Sequence, residues 1–134
     1  MGRGVLTSST GAAVNAYLAA LNSHDADRIA ACVSEGFVNE HTTSTGTSRY
    51  GRAEYRAALP DFLADFQDLR YEVELQLVDG DRSAVQYLMS CRLRSAGDRA
   101  LSVRGVFVFR VDEAGLIAHR IDYWDSGAVT RQLD

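Results

Sequence analysis

Asp122 and His41 are the residues of this chain whose types and placement suit proton transfer. The stretch from Leu116 to Asp125 reads as a half-buried β-strand, and period-two alternation puts Asp122 on the same face as Trp124, aimed inward. An unpaired buried carboxylate is costly, so a chain that keeps one has either a partner for it or a use. His41 ends a short apolar strand, Phe37 to His41, in which Asn39 and His41 share one face and Glu40 points the other way. An imidazole with an ordinary pKa of about 6.5 both accepts and returns a proton near neutral pH. Placed opposite Asp122, it would complete a general acid/base pair. The bland alternatives are a carboxylate satisfied by Arg120, Arg104 or a backbone amide, and a strand-end histidine hydrogen-bonded to the Thr- and Ser-rich loop after it.

Other chemistries find less support. All 14 basic residues are arginine, which excludes lysine Schiff bases. There is no glycine-rich phosphate loop after a strand and no nucleophile elbow, and the serines fall in turns. His24, His41, His119, Glu40 and Asp122 lack metal-ligand spacing, so neither a metal nor another cofactor is expected. A net charge of -4 with no basic run argues against nucleic acid as a partner. Cys32 and Cys91 suggest a reducing compartment, and without a long apolar run or a signal-peptide core the expected location is cytoplasmic, with no membrane partner.

The elements that would position these residues fit one domain over 10–134, preceded by a flexible tail at 1–9. Val14, Tyr17, Leu18 and Leu21 recur at helical spacing, with Ser8, Ser9 and Thr10 available as caps. Asp25 would cap a second helix carrying Ile29, Ala30 and Val33, and a third runs from about Arg52 to Phe66 with Pro60 resetting it midway. Strands follow. Arg70 to Val78 alternates, with Tyr71, Val73, Leu75 and Leu77 on one side; Asp79 and Gly80 signal a hairpin; Ser83 to Arg94 comes next. Leu101 to Val111 is apolar on both faces and must be covered twice. The predicted class is α+β, a cone of three N-terminal helices packed in a curved, mainly antiparallel sheet.

At its two ends the chain resembles a known superfamily. Tyr17 to Asn22 with Asp25 and Ile29, and the ending His119 to Asp125 with Arg131, Gln132 and Leu133, are similar to the nuclear-transport-factor-two-like superfamily, of cystatin-like fold, and most of all to its SnoaL-like polyketide cyclases. Ketosteroid isomerases and limonene epoxide hydrolases are relatives of the same kind. The resemblance implies that Asp122 stands at the acid/base position, that Asn39 and His41 look into the pocket, and that Tyr17 matches an oxygen-binding tyrosine. It also places Met89 and Cys91 where the epoxide hydrolases need an arginine and a second aspartate, which counts against epoxide hydrolysis.

The resulting expectation is a cofactor-independent isomerase, dehydratase (lyase) or cyclase acting on a small, mostly apolar molecule, with Asp122 and His41 catalytic. Tyr17, Asn39, Tyr87, Met89, Cys91, Phe107 and Trp124 are the expected substrate contacts in an apolar cavity, with Leu18, Val33 and Phe62 as further wall. The alternative is a dimeric pocket protein that binds such a molecule without transforming it. Because Ile117, Ile121 and Tyr123 would share the outward face of the last strand, a homodimer through the outer sheet face is expected.

Overall fold

The computed structural model describes residues 2–134, with side chains from Ser9 onward. Its elements are α1 (Gly2–Ser23), α2 (Ala26–Ala31), β1 (Val33–His41), β2 (Arg49–Tyr50), α3 (Arg52–Asp65), β3 (Phe66–Asp79), β4 (Arg82–Leu93), β5 (Arg99–Val111), β6 (Ile117–Trp124) and α4 (Ser126–Leu133), with a single 3-10 turn at Arg94–Ala96. The strands form one sheet in the order β2-β1-β6-β5-β4-β3. All pairs are antiparallel except β1 with β6, which run parallel. The architecture is α+β, four helices packed against a six-stranded curved, open sheet. The core lies between the helices and the inner sheet face, where Val14, Tyr17, Leu21, Val33, Phe37, Phe107 and Phe109 are sealed from solvent.

Helix α1 buries the predicted stripe. It is helical from Gly2, within the segment predicted as a tail, and Thr10 lies inside the helix and not at its cap: its Oγ1 donates to the Gly80 carbonyl at 2.7 Å. Asp25 caps α2 as predicted, its side chain accepting from the amides of Asp27 and Arg28. That helix is shorter than predicted. It stops at Ala31, and Val33, expected on it, opens β1, whose pairing with β6 shifts register between Val33 and Val38. Helix α3 runs unbroken past Pro60. The C-terminal helix α4, capped by Asp125 accepting from Gly127 N, escaped the sequence reading, which took these residues only as part of a family ending.

Two bulges re-aim side chains. Between Val73 and Leu75 the β3–β4 register slips, which turns Leu75 and Leu77 from the predicted inner side to the outer one, 50% and 60% exposed. Between Arg110 and Val111 the β5–β6 pairing slips as well, so Ile117 is buried in the core and does not share the outer face with Ile121 and Tyr123. Beyond that bulge, Arg120, Asp122 and Trp124 follow one another on the inner face of β6, the row from which the site is built.

Candidate active site

Parallel pairing of β1 with β6 sets Asn39 against Arg120 and His41 against Asp122. His41 and Asp122 are therefore side by side on neighbouring strands, not facing each other across a cavity. Asp122 is 5% exposed. Its Oδ1 accepts a hydrogen bond of 2.6 Å from the Tyr87 hydroxyl, while Oδ2 lies 3.6 Å from His41 Nδ1. Among the described residues no arginine reaches ion-pair distance of the Asp122 carboxylate. Burial raises its pKa above the ordinary carboxylate value, with the Arg120 charge and the Tyr87 hydrogen bond holding it back.

Gly105 makes the Tyr87 contact geometrically feasible. It pairs with Tyr87 on β4 and with Trp124 on β6, and a Cβ there would collide with the Tyr87 phenol and come within 2.8 Å of the Tyr123 carbonyl. The missing side chain lets the phenol lie across β5 to reach β6. Phe107 supports the ring from below, their centroids 4.3 Å apart.

His41 does not titrate near neutral pH, contrary to expectation. Burial first, then the charges of Arg120 and Arg49, lower its pKa to about 4, so the ring is neutral under ordinary conditions. Trp124 Nε1 donates to His41 Nδ1 at 3.1 Å, which puts the ring proton on Nε2, an N–H that meets no acceptor among the described residues. The following loop holds the ring from behind: Ser48 Oγ accepts from the His41 amide, and Gly46 packs so closely that a Cβ would stand 2.5 Å from His41 Cβ.

Arg120 went unremarked as a site residue, although the alternation that aims Asp122 inward aims it inward too. It is 5% exposed, donating from Nε to Asn39 Oδ1 and from Nη1 to the Tyr17 hydroxyl, both at 2.9 Å. The Tyr17 and Tyr55 hydroxyls share a further hydrogen bond of 2.6 Å, and the guanidinium carbon sits 4.8 Å from the Phe107 ring centroid. Burial works against the Arg120 charge, and the surrounding tyrosines and Asp122 more than offset it.

Two adjoining hollows share His41, Phe62, Phe66, Tyr71 and Trp124 as common wall. The larger, about 400 Å³, is lined also by Asn39, Arg120, Tyr55, Arg49 and the 45–47 loop. The smaller, about 120 Å³, is lined also by Asp122, Tyr87, Met89 and Val103. Of the expected contacts, Asn39, Tyr87, Met89 and Trp124 line this space and Phe62 forms its wall, whereas Tyr17, Leu18, Val33, Cys91 and Phe107 do not line it. Tyr17 and Phe107 stand behind Arg120 as acceptor and stacking surface. Cys91 is buried below Met89, with burial, then Asp65, pushing its thiol up to about 11, so it is no nucleophile. His119 and Glu40 pair at 3.0 Å on the outer face. Among the described residues no three His, Cys, Asp or Glu side chains gather as a metal site would require.

Residues 14–120 match the family model of the SnoaL-like domain. The chain belongs to this family. Asp122 lies just beyond the matched stretch of the SnoaL-like domain, on the strand that stretch enters. The fold is that of the NTF2-like proteins, and solved structures of low identity superpose over nearly the whole chain. An LEH-like epoxide hydrolase from Mycobacterium tuberculosis has a TM-score of 0.81 at 21% identity, covering 95% of this chain and 90% of its own. TsrD from Streptomyces laurentii gives 0.77 at 24%, covering 94% and 95%, and an NTF2-like protein from Burkholderia xenovorans gives 0.79 at 20%, covering 96% and 98%. None of the curated proteins compared matches this chain in sequence.

Proposed function

We propose that this SnoaL-like protein is a cofactor-independent acid/base enzyme that moves a proton next to a carbonyl or hydroxyl of a small, mostly apolar molecule, as an isomerase, cyclase or dehydratase does. The observation that carries this reading is Asp122: a buried carboxylate that no arginine among the described residues meets at ion-pair distance, lining an apolar hollow, with its pKa raised. A carboxylate in that state is a stronger base than one in water, and its pKa moves toward the working pH, where the same group can both take up a proton and return it. In the proposed step Asp122 takes a proton from the carbon beside the carbonyl, the C–H electrons pass into the enolate, and the protonated Asp122 delivers the proton to another atom of the same substrate. The enolate oxygen is held by Nε2–H of the neutral His41 and by the Asn39 amide, donors that need no proton transfer of their own. Tyr87 orients the carboxylate and does not give up its proton, because burial and the Asp122 charge raise its pKa.

Epoxide hydrolysis lacks its residues here. Met89 and Cys91 occupy the inner face of β4 where the resemblance requires an arginine and an aspartate.

Deuterium wash-in at the α-carbon tests the proposal directly. A panel of cyclohexanones and cyclohexenones, both neutral and carboxymethyl-substituted, in D2O, followed by proton NMR, should contain members that exchange faster with the wild type than with Asp122→Asn. Equal rates in the two proteins, or no acceleration across the panel, would favour the reading as a pocket protein that binds without transforming.

The proposal extends to the assembly. Leu75, Leu77 and Tyr123 are exposed on the outer sheet face beside half-buried Val106, Val108 and Ile121, an apolar surface suited to a second copy of the chain.

A further inference from the structure

The proposed chemistry uses Asp122, His41 and Asn39, and it leaves a buried charged group, Arg120, without an assignment. Arg120 is a permanent cation in the protein interior. A guanidinium has five N–H donors, and here Nε and one Nη1 hydrogen are taken by Asn39 and Tyr17. No side chain or backbone oxygen among the described residues accepts from Nη2. Nor is that nitrogen sealed in the core, where the unpartnered atoms are Gln76 Nε2 and Ser83 Oγ. Arg120 instead lines the 400 Å³ hollow.

The charges around that hollow are arranged unevenly. Two arginines line it, Arg120 buried and Arg49 half-buried. Two acids also line it. Asp65 is committed to Ser95, accepting from its amide at 2.7 Å and from its hydroxyl at 3.0 Å, and Asp61 is exposed on α3. Phe62, Phe66 and Trp124 line it as well. The hollow thus combines a buried cation, apolar aromatic wall and two acids that both stand on α3.

We propose that Arg120 is a carboxylate-binding residue, so that the small apolar molecule this site takes is an organic acid whose carboxylate sits on the guanidinium. A planar carboxylate matches the guanidinium fork and would complete the donors Asn39 and Tyr17 leave over. Desolvated against the Phe107 ring, such a pair is far stronger than one at the surface. Arg120 and Asp122 are two residues apart on one strand face, a spacing of roughly 6 to 7 Å. A carboxylate on Arg120 therefore leaves the carbons next along the substrate within reach of Asp122. The inference rests on the proposed site but not on its turnover, since it concerns binding alone.

The test compares matched acid and amide probes by calorimetry: phenylacetate against phenylacetamide, cyclohexylacetate against cyclohexylacetamide and 1-naphthylacetate against its amide. The wild type should bind at least one acid ten-fold or more tighter than its amide. Arg120→Gln should abolish that preference and leave the amide affinity within about two-fold. Because Arg120→Gln risks misfolding, Asn39→Asp provides a second arm: an internal carboxylate beside Arg120 would compete for it, so the ratio of acid to amide affinity should collapse in this variant whatever the loss of the Asn39 amide donor does to both ligands. Equal affinity for acid and amide in every pair, no binding of any acid by the wild type, or a preference that survives in Asn39→Asp would overturn the proposal. Deuterium wash-in is read separately, so an acid preference without exchange would remove the catalytic reading and leave this one standing.

Discussion

The Tyr87 hydroxyl reaches Asp122 at 2.6 Å across the intervening strand because residue 105 is glycine. Gly105 lies on the strand between them, paired with Tyr87 on one side and Trp124 on the other. Gly105→Ala should push the phenol off the carboxylate, and overpacking of this kind costs about 1 to 3 kcal/mol. Tyr87→Phe removes the same hydrogen bond without the clash. That bond favours the charged form of Asp122, so its loss should raise the Asp122 pKa further and move the acidic limb of a pH–rate profile upward. A limb that stays in place in Tyr87→Phe would show that Asp122 is not the titrating base.

Asp122→Asn retains the shape of the side chain and an acceptor for Tyr87, but not the base. Turnover should fall by about 100 to 10,000-fold with ligand binding nearly unchanged. Stability moves in the opposite direction. A carboxyl whose folded pKa lies above its unfolded value contributes stability that is present below the unfolded pKa and lost as pH rises through the folded one. Thermal melts at pH 7 should therefore show Asp122→Asn at least as stable as the wild type. A marked loss at pH 7 would mean that the carboxylate is a structural anchor.

The sequence exposed this site unevenly, for identifiable physical reasons. Alternation placed Asp122, Asn39 and His41 on inner faces, and the structure has them there, because β1 and β6 are regular through these positions. It failed at Leu75, Leu77 and Ile117, where an extra residue in one strand flips every side chain beyond it, and nothing in the local pattern marks a bulge. Arg120 was legible by the same parity as Asp122; habit places arginine in water, and only the tertiary partners Asn39, Tyr17 and Phe107 show why this one is inside. The neutrality of His41 depends on Arg120 and Arg49, distant in sequence, so the type of the residue suggested a titration that its surroundings suppress.

The outer sheet face should hold two chains together. Leu77, Leu75 and Tyr123 are 60%, 50% and 47% exposed, apolar side chains on the outer face that a second copy would cover. Light scattering after size exclusion should give about twice the 14.7 kDa of one chain. Replacing Tyr123 and Leu75 together by arginine should shift the mass to that of one chain and leave the far-UV spectrum intact. A wild type that elutes as a single chain at micromolar concentration would remove the dimer.

His41 should make the fold sensitive to mild acid in a way one substitution can isolate. Its pKa falls from an ordinary 6.5 to about 4 on folding, so the unfolded chain takes up the proton first. A depressed folded pKa means stability that is complete above the unfolded value and lost as pH falls through the window from 6.5 to 4. At about 1.4 kcal/mol per unit, the full window corresponds to roughly 3 kcal/mol. His41→Gln holds a neutral amide at every pH and should show a flatter dependence of the urea midpoint over that range. Carboxylates titrating below pH 5 affect both proteins alike, so the difference between the two curves between pH 6.5 and 5 is the quantity to read. If the curves run parallel there, the imidazole is not desolvated, and the neutral donor role assigned to its Nε2 falls with it.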